Sequence, residues 1–243
     1  MNEAKVNPLD AILKKFASYA EMSEGDRTEI LQLPFKARIF ETGSYLVREG
    51  DYPDHCGMLV SGLVCRHKSN GEGFRQIVAI YVPGDVINLQ NLHLRYADHN
   101  VQMLTRCEHT VIPCAALRRL ATDRPSIAHV ISTMAFAELS VAQEWMLNIG
   151  RRDARTRIAH LLCELAVRSD RRGLPPGQAY ELPMTQEQLG DALGLTAVHV
   201  NRMLRGLVRD GLITYENKFV SIHNWRALVQ SADFEVRYLQ SAE

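Results

Sequence analysis

Residues Leu182 to Leu207 read LPMTQEQLGDALGLTAVHVNRMLRGL, a stretch that predicts two helices joined by a tight turn. Thr185 stands where a side-chain oxygen can cap the first helix, and Gln188, three residues on, can return to the backbone as a capping box. Leu189, Ala192 and Leu193 then face inward, Gly194 supplies the positive φ needed to leave the helix, and Thr196 caps the next one. In that second helix Val200, Leu204 and Leu207 form the buried stripe, which leaves Ala197, Val198, Asn201, Arg202 and Arg205 on the outer face. A helix entering DNA N-terminus first presents such residues to base edges in the major groove, while its first amides and caps meet phosphate. Downstream, Gly211 to Ile222 reads as two strands around a turn at Glu216-Asn217-Lys218, a wing. The rival reading, a solvated helix face, leaves cap, turn and wing without a joint purpose.

The chain around this stretch has 243 residues, enough for one large domain or two ordinary ones, and its 46% hydrophobic content is normal for a globular protein. The formal charge is zero, so DNA affinity must come from local clusters. Arg151, Arg152, Arg155 and Arg157 crowd one short segment, and Arg202, Arg205 and Arg209 recur near helical spacing in another. Five cysteines (Cys56, Cys65, Cys107, Cys114, Cys163) without a CxxC pair argue against a disulfide framework and a structural zinc site. No uninterrupted apolar run reaches the roughly 18 residues of a membrane span, and the polar start Met1-Asn2-Glu3-Ala4-Lys5 lacks the apolar core of a secretory signal. The expectation is a cytoplasmic protein with no membrane partner.

Between residues 8 and 32, Leu9, Ile12, Leu13, Phe16, Met22, Ile30 and Leu31 fit short amphipathic helices around a break at Gly25. From about 34 to 115, short β-branched runs at 45–47, 58–60, 63–65, 76–81 and 109–112 are cut by Gly and Pro turns, the spacing of an all-β sandwich or barrel. After Pro125 the period becomes helical, with Ile127, Ile131, Met134, Val141, Trp145 and Ile149 three, four or seven apart. That stripe is read as a dimer seam, because no other long helix is predicted nearby to cover it; the alternative is a core helix of the same subunit. Gly150 reads as a hinge. A further amphipathic helix is predicted over 154–168 and a loop over Ser169–Gly177. The expected architecture is α+β: N-terminal helices and a jelly-roll-like β-roll effector domain (1–122), a dimerisation helix (123–150) and a winged helix-turn-helix (151–243).

The stretch from Pro183 to Ile222 closely resembles the helix-turn-helix and wing of the Crp/Fnr transcription regulators, and the order of strands and turns before it resembles their cyclic-nucleotide-binding roll. The resemblance implies phosphate contacts from Thr185, Gln186, Thr196 and His199, and base contacts near Ala197, Val198, Asn201 and Arg202. Arg202 is the foremost candidate, since a guanidinium can bind guanine O6 and N7 together. Arg205 shares its face. Family members commonly carry a glutamate, which reads cytosine, where this chain has Val198; valine offers only an apolar face, suited to a thymine methyl. The resemblance further implies a homodimer on a pseudo-palindromic site, with RNA polymerase as a further partner.

Cyclic-AMP-binding relatives cradle the ligand with Gly-Glu followed by Arg-Ser or Arg-Thr. This chain keeps Pro83-Gly84-Asp85 but continues Val-Ile-Asn-Leu-Gln, and the phosphate-binding arginine is replaced in register by His99 or Asn100, with Arg95 the nearest guanidinium in sequence. Cyclic AMP is therefore disfavoured, and Asn88, Leu89, Arg95, His99 and Asn100 are the candidate effector-binding residues. An iron-sulfur cluster is disfavoured too, because no cysteine precedes Cys56. Haem is kept as an alternative, with His55, Cys56, His93 and His99 as candidate ligands, against the reading that they are scattered surface histidines. No dedicated metal site is expected, and Cys107 and Cys114 read as small buried hydrophobes rather than redox sensors.

No glycine-rich phosphate loop, HExxH or GxSxG is present, so an enzyme is disfavoured. The expectation is a sequence-specific DNA-binding regulator. The alternatives are a haem- or redox-sensing regulator of the same fold, or a nucleotide-sensing regulatory subunit that does not bind DNA.

Overall fold

The computed structural model describes residues 8–169 and 179–240. The polar N-terminal start and nearly all of the expected 169–177 loop lie outside the described residues. In chain order the elements are α1 (Pro8–Ala17), α2 (Glu24–Leu31), β1 (Lys36–Phe40), β2 (Tyr45–Val47), β3 (His55–Ser61), β4 (Val64–Ser69), β5 (Arg75–Tyr81), β6 (Val86–Ile87), β7 (Asn100–Met103), β8 (Cys107–Pro113), α3 (Cys114–Asp123), α4 (Pro125–Arg151), α5 (Ala154–Ser169), β9 (Ala179–Glu181), α6 (Gln186–Leu193), α7 (Ala197–Arg209), β10 (Ile213–Glu216), β11 (Phe219–Ile222) and α8 (Trp225–Ala232). Packing divides the chain into two compact units: one holds the chain up to Val64 together with Tyr81–Leu139, the other Cys65–Ile80 with Ser140–Leu239.

The first unit is built on antiparallel strands in the order β1-β8-β3-β6. β3 lies between β8 and β6, with Cys56 opposite Ile112 and Met58 opposite Thr110. A Cβ on Gly57 would sit 1.6 Å from the Thr110 carbonyl oxygen, so this strand pairing admits only glycine there. Leu9, Ile12 and Phe16 of α1, spaced three and four apart, pack with Cys56, Met58 and Ile112 and with Leu117 and Leu120 of α3 in one apolar core. The break between α1 and α2 falls before Ser23, not at Gly25. Ser23 caps α2, its Oγ accepting from the Asp26 amide at 3.1 Å while the Asp26 carboxylate takes the Ser23 amide at 3.2 Å, and Gly25 lies inside the first turn.

α4 corrects the expected seam. Ile127, Ile131 and Met134 belong to the core of the first unit, and Trp145 is buried in the second, so most of the stripe read as facing a partner is covered by its own chain. A second stripe, Phe136, Leu139, Met146 and Leu147, is left exposed on the same helix. By length and composition α4 could cross a bilayer. Its acidic residues are engaged within the protein instead: Glu138 accepts from the Tyr81 hydroxyl at 2.7 Å and Glu144 pairs with Arg152 at 2.6 Å. Gly150 remains helical, and the chain turns at Arg152–Asp153, where Asp153 Oδ1 accepts the Thr156 amide at 2.9 Å and caps α5.

Candidate nucleic-acid interface

α6 and α7 take the geometry that the sequence predicts. Thr185 Oγ1 accepts the Gln188 amide at 3.1 Å and Gln188 Oε1 accepts the Thr185 amide at 2.9 Å, closing the capping box. Gly194 ends α6 at φ 63°, and Thr196 Oγ1 accepts the His199 amide at 3.3 Å at the start of α7. The turn is closed by the Leu195 amide donating to the Gly190 carbonyl at 3.1 Å. A Cβ on Gly190 would lie 2.4 Å from the Leu195 carbonyl oxygen, so the glycine inside α6 is required by the backbone that passes over it. Sequence reading missed this residue, although a glycine four positions before a helix-ending glycine was a usable signal.

Val200, Leu204 and Leu207 are buried, as expected, and anchor α7. Val198 is 81% exposed, Arg202 and Arg205 are exposed, and Ala197, His199 and Asn201 are half-buried on the flank. Thr185 is exposed and Gln186 half-buried at the start of α6. Among the described residues, neither Arg202 nor Arg205 has an ion-pair partner. The wing is formed by β10 and β11, joined by Asn217 and Lys218 at φ 51° and 68°, the paired positive φ values of a tight two-residue hairpin turn. β9 adds a third strand, Val220 opposite Tyr180, which the sequence reading did not contain.

The first arginine cluster is a correction. Arg152 reaches Glu144 at 2.6 Å and Asp233 at 3.1 Å, and Arg155 reaches Asp210 at 2.7 Å. Arg157 donates to the carbonyls of Arg152 (2.8 Å) and Leu193 (3.0 Å). Three of the four therefore hold the second unit together rather than offering charge to a partner. Beneath them, Glu164 is fully buried and accepts from Trp145 Nε1 (2.9 Å), the Tyr238 hydroxyl (2.8 Å) and Arg168 Nη1 (2.8 Å). His160 stacks on Tyr238, and burial together with the Arg152 charge holds its imidazole down to about 4.

The effector candidates are spread between interior and surface. Asn88 is buried at φ 66°, and neither its amide oxygen nor its nitrogen has a hydrogen-bond partner among the described residues. Leu89 is buried, whereas Arg95 and His93 are exposed. His99 is buried with Nδ1 2.8 Å from Asp98 and Nε2 3.1 Å from Gln90, and Asn100 Oδ1 accepts the Glu49 amide at 3.2 Å. A carboxylate, not a guanidinium, stands beside the residue in the phosphate register. Asp85 is turned inward on its own loop, accepting the Val82 amide at 2.9 Å and pairing with Lys15 at 3.5 Å. This residue set does not fit a cyclic phosphate diester. Of the haem candidates, His55 sits 3.3 Å from Asp54 and Cys56 is buried. Among the described residues no three His, Cys, Asp or Glu side chains group to hold a metal ion.

Residues 156–231 match the Crp-like helix-turn-helix domain, and residues 37–124 match the cyclic nucleotide-binding domain. The transcriptional activator protein FnrL of Cereibacter sphaeroides is 29% identical over 203 residues, 80% of this chain and 79% of its own length. The nitrogen fixation regulation protein FixK of Azorhizobium caulinodans is 30% identical over 176 residues, 72% of this chain and 70% of its own. The solved structure of FixK2 from Bradyrhizobium japonicum superposes with a TM-score of 0.74 at 26% identity, covering 82% of this chain and 97% of that one. Roll, long helix and winged helix-turn-helix, in this order and with these relatives, place the chain in the Crp/Fnr family of transcription regulators.

Proposed function

We propose that this regulator acts in the cytoplasm as a homodimer that lays one α7 from each subunit into successive major grooves of a pseudo-palindromic operator. The half-sites would be about one helical turn, roughly 34 Å, apart. The observation that carries the reading is the partition of α7, with Val200, Leu204 and Leu207 buried, Val198, Arg202 and Arg205 exposed, and neither arginine in an ion pair among the described residues. Thr185, Gln186, Thr196 and His199 sit at the two helix starts, where backbone amides favour phosphate. Arg202 supplies a bidentate donor for guanine, Asn201 and Arg205 flank it, and Ala197 and Val198 offer methyl groups to thymine.

The dimer forms along α4 through the exposed stripe Phe136, Leu139, Met146 and Leu147, an apolar seam of the kind that parallel helices bury against each other. The roll receives an effector other than cyclic AMP, because Asp85 is committed to Val82 and Lys15 and no guanidinium replaces the family arginine. Differential effector affinity for two dimer states then sets operator affinity, with RNA polymerase as the downstream partner. No catalysis is assigned. Selection of operators from random DNA tests the reading directly: it should return a two-fold motif, and a motif without two-fold symmetry, or none, would overturn it.

A further inference from the structure

Asp191, Ala192 and Leu193 close α6, and each is gripped from outside the helix. A helix leaves its last carbonyls without amide partners of its own. Here the Leu193 carbonyl accepts from Arg157 of α5 at 3.0 Å, and the Ala192 carbonyl accepts from the Gln76 side-chain amide at 3.2 Å. Beside them one oxygen of the Asp191 carboxylate takes two nitrogens of the Arg75 guanidinium, Nε at 2.7 Å and Nη2 at 2.6 Å. Both members of this ion pair are half-buried, so salt screens it less than a pair standing in water. Arg75 and Gln76 open β5, 116 residues before the residues they hold, and residues 65–80 pack in the second compact unit with α5, α6 and α7. The far end of β5 is fixed as well. The Ile80 carbonyl accepts from Arg168 at 2.7 Å, and the same guanidinium reaches the buried Glu164 at 2.8 Å.

We propose that Arg75 and Gln76 are positioning residues for operator binding: β5 clamps the last turn of α6 and thereby sets the angle at which α7 meets DNA. This role rests on the reading of α7 as the helix that enters the groove. Gly194 follows the clamped residues directly and turns the chain into α7, so a shift of that turn is a shift of the reading helix. In the clamped arrangement Val198, Arg202 and Arg205 stand exposed, which makes the contact one that supports binding rather than one that hides the helix. Arg75 and Gln76 act through Asp191 and the Ala192 carbonyl, with no contact to DNA of their own. Charge gives the role a distinctive sign. Removing a carboxylate next to a DNA-reading helix should, by its charge alone, tighten binding to a polyanion. If Asp191 serves to hold Arg75, removing it should weaken operator binding instead.

The test is a fluorescence anisotropy titration of the full-length protein on the operator recovered by selection and on an unrelated duplex. A stoichiometric titration fixes the active fraction, so that lost folded protein is not read as lost affinity. Asp191→Ala and Arg75→Ala should each weaken operator binding about 3- to 30-fold, leaving the unrelated duplex nearly unaffected. The double variant should be no worse than either single one, because both remove the same contact. Gln76→Leu releases the Ala192 carbonyl without changing charge and should act in the same direction, which keeps the test decisive if a charge variant fails to fold. Unchanged or tighter operator binding by Asp191→Ala would overturn the proposal, as would additive losses in the double variant or equal losses on both duplexes. Arg202→Ala separates the two readings. If it weakens operator binding while Asp191→Ala and Arg75→Ala do not, the clamp fails and the groove assignment of α7 stands; if it has no effect, that assignment fails and takes the clamp with it.

Discussion

Trp145 on α4 donates its indole N–H to Glu164 on α5 at 2.9 Å, and the accepting carboxylate is wholly buried. The end of the long helix is thereby fastened to the first helix of the DNA-binding region by a charge-assisted bond, with Tyr238 and Arg168 completing the acceptor's shell. Glu164→Leu removes the acceptor that Trp145, Tyr238 and Arg168 share and should cost about 3 to 5 kcal/mol, because three buried or half-buried donors then lose one hydrogen bond each in the interior. Trp145→Phe, which removes one donor, should cost about 1 to 2 kcal/mol. Urea midpoints of the two variants give the comparison, and equal losses would contradict the shared-acceptor account.

Gly190→Ala places a methyl group 2.4 Å from the Leu195 carbonyl oxygen, and the turn between α6 and α7 must open to admit it. The expected loss is about 1 to 3 kcal/mol, the range for overpacking a tight interior. Operator binding should fall more than stability does, since α7 moves with the turn. Circular dichroism melting alongside a gel-shift titration would separate the two effects.

Arg202→Ala should weaken specific binding by about 1 to 3 kcal/mol and relax the preference at one base pair in each half-site, leaving non-specific affinity nearly unchanged. Val198→Glu substitutes an acceptor for an apolar face and should shift the preferred base toward cytosine at the step that valine touches. Repeating the operator selection with each variant measures both, and an unchanged motif for both would remove α7 from base readout.

Burial, with His55 nearby, holds His109 down to about 4, and burial beside Arg152 does the same for His160, against about 6.5 for both in the unfolded chain. Since the unfolded state takes up protons first, this stability is fully present above about pH 6.5 and is lost as pH falls toward 4. Near pH 5 the loss should be about 2 kcal/mol per histidine. His109→Gln should flatten the fall in urea midpoint between about pH 7.5 and pH 5, and an unaltered slope would show that the imidazole is not the group responsible.

Phe136→Glu, alone or with Leu139→Lys, puts charge into the exposed stripe of α4 while sparing the buried face, so the fold should survive and the dimer should not. Sedimentation velocity at micromolar concentration should show a monomer with native circular dichroism. A dimer of unchanged affinity would move the interface elsewhere.

Much of this molecule was legible from local grammar. The α6–α7 pair could be read because its cap, its positive-φ glycine and its aliphatic stripe all lie within 26 consecutive residues. α3 was not legible: its N-cap is Pro113, which has no side-chain acceptor, and it begins directly at the end of β8. β1 escaped because all but one of its residues face solvent, which removes the alternation that marks a strand. Periodicity exposed an apolar stripe on α4 but could not say what covers it. Coverage depends on α1, α3 and β3, brought together by the fold. The arginines after α4 misled for the same reason, since Asp233, the partner of Arg152, lies 81 residues away in sequence. For the candidate effector residues, the sequence showed that the family arginine is missing, while the inward turn of Asp85 and the Asn88 amide, unpartnered among the described residues, depend on how the loop folds.

The inward commitment of Arg152, Arg155 and Arg157 carries over to ionic strength. Guanidiniums already paired with Glu144 and Asp210, or turned onto backbone carbonyls, are not presented to a duplex, so on the proposed reading the logarithm of affinity should decline only gently as salt is raised. If the discrimination of this neutral chain rests, as proposed, on the short apolar and arginine-bearing face of α7, selectivity between sequences should be preserved across the salt range in which a strongly basic binder would swing between sticking everywhere and letting go.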